Sequence, residues 1–168
     1  MPTGTTSKPS NSSNSSNSKS APNAIELLKA DHRTVEDLFE KFESGKGSAS
    51  KQKIADQICK ELTVHAQIEE EIFYPACERA GVEQEDLDEA LVEHQSAKEL
   101  IAQIEDGSPK ADDLWEAKVK VLKEQIEHHV EEEEGKEGIF VQARQKKLDL
   151  DALGEQMAAR KAELTATV

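Results

Sequence analysis

The stretch His65-Ala66-Gln67-Ile68-Glu69 sets an imidazole and a carboxylate one helical turn apart, and His129-Val130-Glu131-Glu132-Glu133 repeats the device. Residues four apart on a helix project in the same direction. Ile54, Ile58, Leu62, His65, Glu69 and Ile72 fall on one face, as do Trp115, Val119, Leu122, Ile126, His129 and Glu133. A chain patterned in this way must take imidazoles and carboxylates into its interior. An ionised carboxylate buried without a partner costs several kcal/mol or more, so the fold has to supply protons, donors or cations.

Two further histidines sit in apolar stripes of the same period. Ile25, Leu28, His32, Val35, Phe39 and Phe42 define a helix that starts after Asn23, with Glu26 completing a capping box. The turn Gly45-Lys46-Gly47-Ser48 ends it. The second helix runs from about residue 49 to 80, with a kink or break expected near Pro75 and a stop at Gly81. Leu87, Leu91, His94, Ala97, Ile101 and Ile104 mark a third, from about 83 to 105. The fourth is expected from Pro109, after Ser108, to about Lys147, with Gly135 and Gly138 making a bulge or hinge. Short connections between helices of this length predict an all-α, antiparallel up-down-up-down four-helix bundle. A short accessory C-terminal helix over about 151–164 is expected to pack outside it or to be only partly ordered. The domain organisation read from this pattern is a disordered Ser/Asn-rich tail at 1–22, a bundle at 23–147 and the accessory segment at 148–168.

Composition narrows the function. A formal net charge of −14 opposes a phosphate backbone or an anionic membrane surface, so no nucleic acid and no membrane partner is expected. No run of 18 apolar residues occurs. Cys59 and Cys77, read on one helix, would stand roughly 27 Å apart, which excludes a disulfide between them within the chain. Reduced thiols of this kind point to a cytoplasmic setting.

A single histidine in an apolar stripe is usually a hydrogen-bonded core residue, and a run such as Glu131 to Glu134 is by default a solvated face. The four stripes change that reading together: each contributes one histidine, and two of them add a glutamate one turn onward. Two glutamates among four imidazoles form a costly core unless cations share it. A dinuclear centre, with imidazoles in terminal positions and carboxylates able to bridge, removes the cost. Zinc more typically takes a tetrahedral four-ligand site, and magnesium and calcium prefer oxygen, so a nitrogen-rich set with carboxylates suits iron, with manganese second. His128 points about 100° away from His129. The stripe Leu122, Ile126, His129 selects His129/Glu133 over His128/Glu132.

Asp31-His32, His65-x-x-x-Glu69-Glu70 with Phe73-Tyr74-Pro75, Glu93-His94 and His129-x-x-x-Glu133-Glu134, spaced by 33, 29 and 35 residues between the histidines, resemble the hemerythrin-like, or HHE cation-binding, family. The similarity covers about residues 24–147. It implies a four-helix bundle with a non-haem, oxygen-bridged di-iron centre. His32, His65, His94 and His129 would be terminal ligands, and Glu69 and Glu133 would bridge the two irons. In oxygen-carrying members a second histidine lies one turn along the third helix, where this chain has Lys98. Lysine must lose its proton to ligate and can instead reach solvent along its stem. A water or a shifted carboxylate such as Glu70 would then occupy the vacancy, and an additional open position would make the centre more reactive toward peroxide or nitric oxide and less secure as an oxygen carrier.

The resulting expectation is a di-iron protein that binds oxygen, nitric oxide or peroxide in an oxidative-stress, sensing or redox role, with a redox or signalling protein as a further partner. Asp31 and Glu93 are expected to accept hydrogen bonds from the imidazoles' other nitrogens. Val35, Ile68, Leu91 and Ile126 are expected to line an apolar ligand pocket, and Tyr74 to pack at the bundle edge. An iron buffer or store, or a metal-free helical scaffold, is the alternative, and the residues leave open whether a reaction is turned over.

Overall fold

A computed structural model describes residues 21–167, so most of the Ser/Asn-rich segment lies outside the described residues. Helix α1 spans Ala24–Ser44, and the capping box forms as expected. Asn23 Oδ1 accepts from the Glu26 amide at 3.0 Å, and Glu26 accepts from the Asn23 amide at 3.0 Å. Helix α2, Ser48–Ile68, passes through a π-helical turn at Glu69–Phe73 into α3, Tyr74–Ala80. Gly81, at φ 84°, ends that run in the left-handed region that favours glycine. Helix α4 is Gln84–Asp106 and α5 is Trp115–Glu134. The short α6, Ile139–Gln145, and α7, Leu150–Thr165, complete the chain, with no strand among the described residues. The bundle is antiparallel and all-α, with α7 packed on α1 and α2.

The disturbance expected at Pro75 takes the form of the π turn just upstream rather than a break. Proline has no amide to donate, and its ring crowds the carbonyl four residues earlier. Widening the turn, with the Tyr74 amide donating to the Glu69 carbonyl, absorbs the misfit without ending the helix. The fourth helix begins later than expected, at Trp115 rather than Pro109. Trp115 is fully buried and donates from Nε1 to the Ile104 carbonyl at 3.0 Å, which ties the start of α5 to the end of α4. The preceding turn is organised by Asp112, which accepts from the Leu114 amide and pairs with Lys118. The Gly135–Gly138 interruption is a full break between α5 and α6, and a Cβ on Gly138 would meet the Glu132 carbonyl at 2.2 Å.

Two apolar clusters fill the bundle. One gathers Ile25, Leu28, Ile68, Phe73, Phe140 and Met157, and the other gathers Phe39, Ile58, Leu62, Ile104, Trp115 and Leu122. His32 lies between Leu28 of the first and Val35 of the second, and His65 lies between Leu62 of the second and Ile68 of the first. The four stripe histidines therefore form a polar layer that divides the core. Leu91 is the stripe residue that departs: it is 43% exposed, and Ala90 takes the inward place one turn before His94.

Helix α7 is better docked than an outlying segment would be. Met157 is fully buried, and a Cβ on Gly154 would meet the Pro22 carbonyl oxygen at 2.5 Å and the Asn23 backbone at 2.7 Å. Gly154→Ala gains up to about 1 kcal/mol of helix propensity, but a backbone neighbour cannot swing aside and overpacking costs about 1–3 kcal/mol. The expected outcome is a net loss of about 1–2 kcal/mol in chemical unfolding, with earlier proteolytic release of α7. Stabilisation by the substitution would show that α7 does not approach α1 this closely.

Candidate metal centre

All six residues expected to point inward do so. His32, His65, Glu69, His94, His129 and Glu133 are buried, and both glutamates are essentially inaccessible. His128, the rival in helix register, is 62% exposed at its side chain. Two buried sets of possible donors result: His32, His65, Glu69 and Glu133, and Glu69, His94 and His129. The donor atoms in each lie within 4.8 Å of one another, and Glu69 belongs to both. These two sets are consistent with a binuclear metal site.

Each imidazole is oriented by a carboxylate on its outer nitrogen. Nδ1 of His32 lies 2.8 Å from Glu134, that of His94 2.9 Å from Glu70 and that of His129 2.7 Å from Glu93. Nδ1 of His65 lies 3.4 Å from Asp31. A carboxylate accepts, so Nδ1 carries the proton and a neutral ring turns the Nε2 lone pair inward. The inward nitrogens then face one another at 3.2 Å for His32–His65 and 3.3 Å for His94–His129. Glu69 meets His65 and His94 at 3.3 and 3.2 Å, and Glu133 meets His32 and His129 at 3.3 and 3.5 Å. Glu69 Oε1 and Glu133 Oε2 have no hydrogen-bond donor among the described residues. Lone pairs converging on lone pairs require protons or cations between them. Nitrogens sharing one first-row divalent ion at about 2.1 Å stand roughly 3.0–3.4 Å apart for openings between a right angle and a tetrahedral one. The donor set therefore fits metal.

Titration tendencies carry the same message. Burial opposes a charged ring, yet Glu69 and Asp31 raise His65 to about 10, and Glu69 and Glu70 raise His94 to about 9. His129 rises too, because Glu133 and Glu93 outweigh its burial. Burial would lift Glu69, but His65 and His94 hold it well below the usual carboxylate range. Without metal, this interior keeps protons as its positive charge.

Tyr74 is the residue that sequence reasoning misplaced. It is buried, and its hydroxyl donates to Glu133 Oε1 at 2.7 Å while lying 3.4 Å from both Glu69 Oε2 and His94 Nε2. Five residues on an ideal α-helix leave Tyr74 about 140° around from Glu69. The π turn between them supplies the extra rotation that brings both side chains to the centre. Glu-x-x-x-x-Tyr-Pro, with proline forcing a wide turn, was the available signal. Burial and the two carboxylates push the Tyr74 hydroxyl well above its ordinary value, so it stays protonated.

The expected acceptors Asp31 and Glu93 are in place, joined by Glu70 and Glu134. Glu70 accepts both contacts of Lys98 Nζ at 2.7 Å as well as facing His94, so its carboxylate is turned to the lysine and the outer side of that ring. Asp31 is also held by Lys161 of α7, which ties the C-terminal helix to His65. Burial would raise the Asp31 carboxyl, but His65 and Lys161 bring it below its ordinary value. A cavity of about 30 Å³, room for a water-sized guest, adjoins all four histidines. Val35 and Ile126 line it as expected. Ile68 and Leu91 do not, because Ile68 packs in the Leu28 cluster and Leu91 turns outward; Leu62, Ala97 and Ile101 serve instead.

A family model described as the hemerythrin HHE cation binding domain matches residues 23–137. A DNA nickase of Nostoc sp. (strain PCC 7120 / SAG 25.82 / UTEX 2576) is 32% identical over 112 residues, covering 67% of this chain and 31% of that protein. The chain thus corresponds to about a third of that relative's length. The crystal structure of a hemerythrin HHE cation-binding domain-containing protein from Mycobacterium kansasii shares the fold, with a TM-score of 0.68 at 21% identity. That likeness covers 87% of this chain and 89% of the other. No helix among the described residues is long and apolar enough to cross a membrane.

The charge of the centre sets the pH response. His65 and His94, raised to about 10 and about 9, stabilise the metal-free fold fully below the ordinary imidazole value of about 6.5. That contribution is lost as pH rises through their folded values. Calorimetry of chelator-treated protein should show the melting temperature falling between about pH 6.5 and 10, and metal affinity rising over the same window as protons are displaced. A melting temperature flat across this range would contradict the protonated cage.

Proposed function

The chain belongs to the hemerythrin HHE cation-binding family, and on that premise we propose that His32, His65, His94, His129, Glu69 and Glu133 hold two iron ions at which a small ligand binds. The observation that carries this reading is the pair of donorless oxygens, Glu69 Oε1 and Glu133 Oε2, set among four inward Nε2 atoms. A nitrogen-rich set with two shareable carboxylates suits iron better than the oxygen-seeking or strictly tetrahedral ions. A bound pair of irons supplies a ferrous–ferric couple and open coordination positions for oxygen, nitric oxide or peroxide.

The chain's own residues give that site its character. Glu134, Asp31, Glu70 and Glu93 fix the tautomer of the four rings and keep Nε2 basic. Tyr74 holds a proton against Glu133 Oε1 and stands within 3.4 Å of Glu69 Oε2, so one neutral donor faces both buried glutamates. The small cavity, walled by Val35, Leu62, Ala97, Ile101 and Ile126, excludes bulk water and admits a ligand of diatomic or peroxide size. Lys98 stands at its rim, paired to Glu70, where the resemblance to oxygen carriers calls for another imidazole. That exchange leaves an open position and favours a role in oxidative stress, sensing or redox handling over oxygen carriage. The nickase activity named for the Nostoc protein is not carried over: the shared part is about a third of it, and a net charge of −14 opposes contact with a phosphate backbone.

Metal analysis of anaerobically purified protein, with absorption spectra before and after oxygen, tests the proposal. Two irons per chain and an oxo-bridge charge-transfer band are expected; zinc, or no metal, would overturn it, and iron well above two per chain would favour storage. Because Glu69 belongs to both donor sets and His65 to one, Glu69→Ala should lower bound metal further than His65→Ala does. Equal residual metal in the two variants would refute a shared carboxylate.

A further inference from the structure

We propose that His128, Glu132 and Glu93 form a second, outer divalent-cation site through which ions load the buried centre, a reading that rests on the two-metal function above. His128 Nε2 lies 3.0 Å from Glu132 Oε1 and 3.7 Å from Glu93 Oε1, and the three residues present donors within 4.8 Å of one another. One imidazole with two carboxylates, exposed to solvent, is a donor set that a divalent transition ion takes with water completing its shell. The set uses neither His129 nor Glu133, yet it reaches the first of them. Glu93 gives Oε2 to His129 Nδ1 at 2.7 Å and turns Oε1 toward His128. An ion held outside therefore touches the same carboxylate that orients a buried ring.

Behind this set lies a cavity of about 260 Å³ between α4, the end of α5 and the Gly135–Gly138 break. Glu93 and Glu132 line it with Asp86, Glu89, Glu131 and Glu137, and among the described residues no lysine or arginine does. Its inner wall includes His129 and Glu133, and Glu133 is the residue that is 1% exposed with a donorless oxygen. Glu133 thus stands between the acidic cleft and the buried rings, its Oε1 held by Tyr74 and its donorless Oε2 turned to His32 and His129. Carboxylates in a walled cleft concentrate cations and repel anions. The cavity beside the histidines has the opposite character, apolar with Lys98 at its rim, and suits an uncharged guest. Cations and small neutral ligands are thereby given separate faces of one layer. The break between α5 and α6 is what makes room: a continuous helix there would fill the mouth with its own side chains.

The full chain, stripped of metal and kept anaerobic, is titrated with Co²⁺. Ion content is read after desalting, and filling of the buried pair is followed by the cobalt absorption bands. Wild type is expected to bind a third, weaker ion besides two retained ones. The double variant His128→Ala/Glu132→Gln should lose the third ion and fill the buried pair about tenfold more slowly, while still retaining two ions and the loaded melting temperature. Glu40→Gln removes one charge from an exposed position on α1 and should load at the wild-type rate. Loading by the double variant at the wild-type rate, or equal slowing by Glu40→Gln, would overturn the outer site while leaving the two-metal reading intact. Wild type that retains no ion would overturn both.

Discussion

Two carboxylates with essentially no access to water, facing four inward imidazole nitrogens, are the constraint to which the rest of this fold answers. Each long helix spends one core position on an imidazole, and the π turn that follows α2 and the end of α5 each add a glutamate. The apolar core is consequently split into two clusters with a charged layer between them. Such a layer is tolerable because every ring has its outer proton accepted by a carboxylate, which leaves the inner nitrogens free for positive charge. Protons can serve, as the raised His65 and His94 show, but protons on both His94 and His129 would set like charges about 3.3 Å apart. Two divalent ions answer the same need with fewer charges in conflict.

The carboxylates that surround the layer spread its influence to the surface. Glu70 connects His94 to Lys98, Asp31 connects His65 to Lys161 on α7, and Glu134 connects His32 to Arg33. The last helix, which falls beyond the matched family segment, therefore bears on a buried imidazole. A C-terminal element of weak apolar character is held by a close backbone approach at Gly154 and by ion pairs, among them Arg160 with Glu71 at 2.7 Å. Exposed pairs of that kind add little individually. Lys161 differs from them because its partner is buried beside the centre.

The π turn at Glu69–Phe73 shows how a local misfit becomes a functional device. Proline at 75 cannot donate, and the wide turn that accommodates it rotates Tyr74 under Glu69 and Glu133. A phenol that stays protonated thus stands in a layer otherwise composed of acceptors and titratable rings. π turns are uncommon and concentrate at functional sites for this reason: they re-aim one side chain without dismantling the helix.

The histidine–glutamate spacing and the apolar stripes were sufficient, by themselves, for the number of long helices, their inward faces and the six buried donors. Those features depend on helical periodicity, which is a property of the chain's local geometry and survives without knowledge of its neighbours. The choice of His129 over His128 was legible for the same reason, and so was the capping box at Asn23. Tyr74's place, the late start of α5 at Trp115, the outward turn of Leu91 and the joining of Glu134 and Glu70 to the rings were decided only in three dimensions. Each depends on what lies across a helix interface: a widened turn, a tryptophan seeking the end of α4, a neighbouring helix that leaves one position uncovered, a carboxylate about a hundred residues from the imidazole it orients. Periodicity says which way a side chain faces; only packing says what it meets there.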